Sequence, residues 1–95
     1  MMNHIEHMMK LYEEGLDELM GAQKYEKYAH KSDNQEEKNM YRVMAMQELE
    51  HAHMLIKDGD KMFSHVEGAE YLTTVWKALK KHLLDWHGDI ERKLK

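Results

Sequence analysis

Two long segments of the chain carry apolar residues at alternating spacings of three and four, which places side chains on one face of an α-helix. In residues 5–30 this row consists of Met8, Leu11, Gly15, Glu18, Ala22, Tyr25 and Ala29. In residues 34–63 a comparable row consists of Tyr41, Met44, Glu48, His51, Leu55 and Met62. The pattern predicts two amphipathic helices, and each has ionisable side chains in the middle of its apolar row.

A short polar stretch, residues 32–36, separates the two predicted helices. Ser32 or Asp33 is a suitable N-cap for the second helix, and a Gln or Glu follows three residues later as its capping-box partner. Because the connection is so short, we expect an antiparallel hairpin. Asp58-Gly59-Asp60 is the one place where the second helix is at risk of ending early.

The hairpin brings the two rows together. With the turn centred near residue 33, Glu18 lies opposite Glu48, and Gly15 lies opposite His51. The other levels pair apolar or aromatic residues, namely Leu11 with Leu55, Ala22 with Met44, and Tyr25 with Tyr41. The sequence therefore predicts one level, midway along the hairpin, at which two carboxylates and one imidazole meet.

A third helix is predicted over residues 70–86, and we expect it to fray after Gly88. Its apolar positions are Leu72, Val75, Trp76, Leu79, Leu83 and Trp86, and its lysines at 77, 80 and 81 are expected to form a solvated face. The predicted fold class is all-α, with an antiparallel two-helix hairpin and a shorter C-terminal helix in one domain, residues 1–95. A chain of 95 residues is short for a self-contained four-helix bundle, so we expect a homodimer or higher oligomer.

Composition narrows the chemistry. The chain has no cysteine, which excludes disulfides, thiolate metal sites and iron–sulfur clusters, and it has no proline. The net charge is −4, with the acidic residues concentrated before residue 71, which favours cations over nucleic acid as ligands. No apolar run is long enough to span a membrane, and the start lacks the pattern of a secretory signal. We expect a cytoplasmic protein with no nucleic-acid or membrane partner.

Glu48 and His51 are spaced one helical turn apart, and Glu18 faces them from the first helix. An unpaired ionised carboxylate in an apolar seam costs several kcal/mol, roughly, so the group has to be paired, protonated or bound to a metal. Carboxylate oxygens and an imidazole nitrogen suit iron, and also manganese or zinc. The alternative is a metal-free polar layer that fixes the register of the helices.

Residues 11–63 resemble the helical hairpin of the encapsulated ferritins and, more distantly, of rubrerythrin-type ferritin-like proteins. The resemblance is carried by Glu18, Tyr25, Glu48 and His51 and by the 30-residue gap between the two glutamates. It implies that two chains pair into a four-helix bundle holding two irons per dimer and oxidise Fe(II) with dioxygen, with Tyr25 beside the metal ligands. It also implies a protein shell as a partner, inside a nanocompartment.

Two departures weaken the encapsulated-ferritin assignment. Met20 stands where that family tends to have another acid, and the C-terminal residues 88–95 do not match a shell-targeting peptide clearly. Two other functional classes stay open: a rubrerythrin-like di-metal peroxidase, and a non-catalytic helical module with a structural zinc. Glu50 and His53 repeat the Glu-x-x-His spacing, but they lie about 200° round the helix from the first pair. The His-rich and Met-rich start, His4 to Met9, is a weaker candidate for a soft metal.

Overall fold

The computed structural model describes residues 3–95, which form three α-helices: α1 (His4–Lys31), α2 (Gln35–Phe63) and α3 (Glu70–Leu94). Helices α1 and α2 form an antiparallel hairpin, and α3 packs back across both. Within residues 3–95 there is no strand, so the all-α prediction is confirmed. None of these three helices is long and apolar enough to cross a membrane.

The turn between α1 and α2 uses a different N-cap from the one predicted. Asn34 caps α2, because its side-chain oxygen accepts a hydrogen bond of 3.1 Å from the backbone N–H of Glu37. Ser32 ends α1 instead, with its own N–H donating to the carbonyl of Tyr28, and its hydroxyl donates to the Glu37 carboxylate at 2.9 Å. The prediction of Ser32 or Asp33 as the cap is wrong because α1 continues to Lys31.

On α2 the core lies one residue to the side of the predicted row, whereas on α1 most of the predicted row is buried. On α2 the buried residues are Ala45, Leu49, Ala52, Ile56, Gly59 and Phe63, and on α1 Leu19 and Glu26 are buried in place of Glu18 and Tyr25. Helix α3 covers this neighbouring row with Leu72, Trp76, Leu83 and Ile90. Glu18 and the predicted row of α2 therefore lie at the edge of the core, on the side of the hairpin that α3 leaves uncovered.

Helix α3 extends to Leu94, eight residues beyond the predicted end at residue 86. Gly88 does not interrupt it, because Ile90 is fully buried and Leu94 packs against the same apolar cluster as Leu19. His30 of α1 also donates a hydrogen bond of 3.0 Å from Nε2 to the carbonyl of Lys93. Packing of the last two turns outweighs the low helix propensity of one glycine.

Asp58-Gly59-Asp60 does not end α2, because the sequence is a packing site for Trp76 of α3. A Cβ at Gly59 would lie 2.1 Å from two carbons of the indole ring, so only glycine fits there. The Asp60 carboxylate accepts hydrogen bonds of 2.8 Å from Trp76 Nε1 and from Lys80 Nζ. Lys80 is therefore an ion-pair partner, whereas it was expected to be solvated, and Val75 is 39% exposed and not in the core.

Candidate metal centre

Glu18, Glu48 and His51 converge as the sequence predicts. Each offers one potential ligand atom, and these three atoms all lie within 4.8 Å of one another. His51 Nδ1 lies 3.4 Å from Glu18 Oε2 and 3.8 Å from Glu48 Oε1. Two carboxylates and an imidazole at these separations can close around one cation with small side-chain rotations, and their chemistry fits a first-row divalent metal.

The three side chains lie at the edge of the core. The exposed fractions of their side chains are 30% for Glu18, 27% for Glu48 and 56% for His51. The expectation that these ionisable side chains are buried in the apolar seam is wrong, because on α2 the core is centred on the neighbouring row that includes Leu49 and Ala52. A cation in solution can therefore reach the ligand atoms of one chain directly.

Gly21 provides the space for Glu48, whereas the sequence pointed to Gly15 as the small residue near the ligands. A Cβ at Gly21 would lie 2.7 Å from Glu48 Oε2, whereas a Cβ at Gly15 would meet Leu83 of α3 at 3.2 Å. Gly15 therefore makes room for α3, and its predicted level opposite His51 stays a prediction. The available signal was the i, i+3 spacing of Glu18 and Gly21, which places both on one side of α1.

The carboxylate of Glu18 perturbs the titration of Glu48. Burial raises the pKa of Glu48, and a hydrogen bond with Glu18 and the negative charge of Glu18 raise it further. The positive charges of His51 and Lys24 oppose this shift without cancelling it. A bound divalent cation would remove the repulsion that raises this pKa, as expected for adjacent carboxylates that share a metal.

Tyr25 belongs to a cluster of three tyrosines at one end of the ligand row. Its ring stacks on Tyr41 of α2, with a centroid separation of 6.3 Å and an interplanar angle of 17°, and both rings contact Tyr28 edge-on. The ammonium of Lys24 lies 4.9 Å from the centre of the Tyr25 ring. These contacts hold the ring among the tyrosines, about two turns along α1 from Glu18, and a role for Tyr25 in the chemistry stays a prediction.

An open groove runs beside the ligand group on the side away from the tyrosines. It has a volume of about 360 Å³, and its lining residues are Glu14, Asp17, Glu18, His51, Met54, Leu55 and Asp58. The lining is acidic along its polar rim and apolar at Met54 and Leu55. The groove therefore joins the candidate ligands to a patch of negative charge and to one exposed thioether.

The remaining sequence candidates lie apart from this group. Glu50 and His53 are exposed, and the His53 ring is tilted against His87 of α3 at 6.3 Å. Neither residue joins the three convergent ligands.

The histidines at the start of α1 pack against the core. His4 and His7 contact the Phe63 ring edge-on, at centroid distances of 6.3 and 6.2 Å. Met8 is 1% exposed, so its sulfur is not presented to solvent. Met9 is 38% exposed, so a soft-metal site formed by His4, His7 and Met9 stays a prediction. Met1 and Met2 lie outside the described residues.

A family model described as Rubrerythrin matches residues 16–86, a span that contains Glu18, Glu48 and His51. The chain belongs to the rubrerythrin family. No match was found among curated proteins or among solved structures. Rubrerythrin-family proteins bind iron, and the carboxylate and imidazole set described above is a suitable place for it. The family assignment confirms the ferritin-like part of the resemblance, while the encapsulated-ferritin subtype stays a prediction.

Proposed function

We propose that two copies of this rubrerythrin-family chain pair through the side of the α1–α2 hairpin that α3 leaves uncovered, and that the pair oxidises Fe(II) with dioxygen. The observation that carries the proposal is the convergence of Glu18, Glu48 and His51 within 4.8 Å. Ferritin-like di-iron sites use four helices, with one Glu from each of two and a Glu-x-x-His pair from each of the others. One hairpin supplies half of that set.

The surface around the three ligands supports pairing. Met40 and Met62 are 48% and 36% exposed, and Met44 and Leu55 are half-buried on the same side of α2. Covering these apolar side chains with a second copy would remove them from water and bring its own ligands toward the first set. In this proposal the metal site is complete only in the homodimer.

Charge favours two divalent ions in the paired site. Four glutamates carry −4, and two Fe(II) ions carry +4, so the site approaches neutrality only when both are bound. Glu18 and Glu48 would supply oxygen ligands and His51 a nitrogen ligand. Manganese or zinc suits the same donor set. A metal that binds without a redox change, such as Zn(II), would not consume dioxygen.

The proposed reaction takes Fe(II) as its substrate. Two Fe(II) ions each lose one electron, and dioxygen accepts both electrons with two protons to give hydrogen peroxide. The chain contributes by holding the two ions close together and by balancing their charge with carboxylates. We place this activity in the cytoplasm, or inside a protein shell if the encapsulated-ferritin resemblance holds.

The test is an anaerobic Fe(II) titration followed by exposure to air. We expect about two Fe(II) bound and oxidised per pair of chains, with dioxygen consumed. Glu48→Gln should abolish tight binding, because the amide keeps the shape of the side chain and loses its charge. Glu50→Gln is the matched control, because Glu50 is exposed and two residues away on the same helix. Equal uptake by Glu48→Gln and wild type would overturn the proposal.

A second candidate is a peroxidase that uses the same site, and the family match favours it. In that case Fe(II) in the protein would be oxidised much faster by hydrogen peroxide than by dioxygen. Stopped-flow rates with the two oxidants at equal concentration distinguish the two activities. A peroxidase at this site would also need an electron donor to return the oxidised iron to Fe(II).

A further inference from the structure

Met54 lies beside the ligand group with its sulfur open to solution. It lines the groove of about 360 Å³ together with Glu18 and His51. It follows His51 by three residues, so it lies one turn further along α2 and about 60° round from it. Its side chain is 59% exposed, so a small molecule in the groove can reach the thioether.

Two other methionines match Met54 in exposure but not in position. Met46 is 61% exposed and precedes His51 by five residues, which places it about 140° round α2. Met20 is 60% exposed and lines a different cavity, of about 290 Å³, beside Trp86. The three thioethers have the same chemistry and the same access to bulk solvent, and they differ in their relation to the metal ligands.

We propose that Met54 is a site of oxidative modification that captures hydrogen peroxide as it leaves the Glu18–Glu48–His51 site. The inference rests on the proposed function, in which two electrons reduce dioxygen to peroxide. The Met54 sulfur attacks one peroxide oxygen, the O–O bond breaks, and the products are methionine sulfoxide and water. The sulfur loses the two electrons that the peroxide gains. This modification is reversible by enzymatic reduction.

Position and composition both favour Met54 as the target. Peroxide formed at the ligands enters the groove before it mixes with solvent, so the effective concentration is highest at a group that lines the groove. The chain has no cysteine, so no thiolate competes for the oxidant. A flexible, polarisable thioether can turn toward the reacting molecule without disturbing the core.

The experiment uses the full chain loaded anaerobically with Fe(II) and then exposed to air, with catalase added to destroy peroxide in the bulk solution. Peptide mass spectrometry then measures sulfoxide at each methionine. Met46 and Met54 fall in one tryptic peptide, residues 43–57, and their fragment ions distinguish them. We expect Met54 sulfoxide to exceed that at Met46 and Met20 by about threefold or more. In metal-free protein treated with hydrogen peroxide, the three should react to similar extents.

Two outcomes would overturn the inference while the proposed function stands. One is dioxygen uptake with equal sulfoxide at the three methionines, and the other is an equally large Met54 excess in the metal-free arm. Absence of dioxygen uptake would overturn both proposals, and an oxygen electrode records this in the same run. As a second measurement, Met54→Leu should raise the peroxide released per dioxygen consumed in the first turnover, whereas Met46→Leu should not change it.

Discussion

The contact between Gly21 and Glu48 shows how one missing side chain positions a ligand. The carboxylate of Glu48 lies where a Cβ of residue 21 would be, at 2.7 Å, and this location lets it reach across to Glu18 and His51. The atom that would be displaced is the far end of a flexible side chain. A larger residue at position 21 would therefore move the ligand without disrupting the packing of the helices.

Gly21→Ala should weaken Fe(II) binding by about tenfold while leaving the fold intact, because a shifted ligand is expected to cost affinity on this scale. Alanine is also the better helix former by about 1 kcal/mol, so the variant should be at least as stable as wild type. Anaerobic calorimetric titration measures the affinity, and thermal unfolding measures the stability.

Gly88→Ala is the control, because its Cβ would meet only the exposed guanidinium of Arg92, at 3.3 Å. It should gain similar stability and bind Fe(II) like wild type. Unchanged affinity in Gly21→Ala would show that Glu48 does not need its present position.

At the residue level, the candidate ligands could be predicted from the sequence because their positions depend on spacing within one helix. Glu48 and His51 are one turn apart on any α-helix, and the short turn fixes Glu18 opposite them. Gly21 and the buried Glu26 were not predicted, because their roles depend on the rotation of α1 against the other helices. The packing of α3 sets that rotation, and it cannot be predicted from the periodicity of α1 and α2 alone.

At the level of elements, the packing of α3 on the hairpin depends on Gly59. The indole of Trp76 is 1% exposed and occupies the space of the missing side chain, so the ring cannot move aside easily. Gly59→Ala should therefore lower the free energy of unfolding by about 2 kcal/mol, even after the gain in helix propensity. Urea unfolding followed by circular dichroism checks this value, and a variant as stable as wild type would contradict the packing described here.

The ion pair between Asp60 and Lys80 makes the stability of the packing between α2 and α3 depend on pH. Burial alone would raise the pKa of Asp60, but hydrogen bonds from Lys80 and Trp76 and the positive charges of Lys80 and His53 outweigh it and lower the pKa below the ordinary value of 3.8. A carboxylate whose pKa is lowered on folding stabilises the fold above its unfolded pKa, and this contribution is lost as the pH falls through the folded value.

Asp60→Asn should consequently be less stable than wild type at pH 7, by about 1 kcal/mol, a small value because the pair is partly exposed to solvent. The difference in stability should shrink as the pH falls below 3.8, because the wild-type Asp60 carboxylate then gains a proton and loses its charge. Thermal unfolding of both proteins from pH 7 to pH 3 measures it. A gap of constant size over that range would show that ionisation of Asp60 does not matter.

The length of α3 could not be read from its sequence alone. Ile90 and Leu94 continue the helical spacing of Leu83 and Trp86, but Gly88 favours fraying before them. Ile90 and Leu94 extend the helix only because α1 and α2 offer them a place to pack, which is a tertiary effect.

At the scale of the whole molecule, the uncovered face of the hairpin predicts which substitutions should weaken the proposed homodimer. Met40 is 48% exposed and precedes His51 by eleven residues, about three turns, so it lies on the same face as the ligands. Met40→Lys should weaken the proposed dimer by about tenfold, because it places a charge in an apolar contact. Sedimentation velocity over a range of concentrations, with and without Fe(II), measures the change.

Met46→Lys serves as the comparison, because Met46 is 61% exposed but lies on another side of α2. It should assemble like wild type. If both substitutions or neither affects assembly, the pairing surface lies elsewhere on the molecule.

The candidate ligands stand outside both apolar clusters of the fold, which are built from residues such as Leu19, Leu49 and Trp76. Small zinc domains collapse when their ion is withdrawn, because the ion takes the place of a core. This chain has its own core, so a chelator should strip the protein while its helical circular dichroism persists. The proposed site can thus lose and regain its metal ion without a folding step, as expected if the ion is a substrate and not a structural part of the fold.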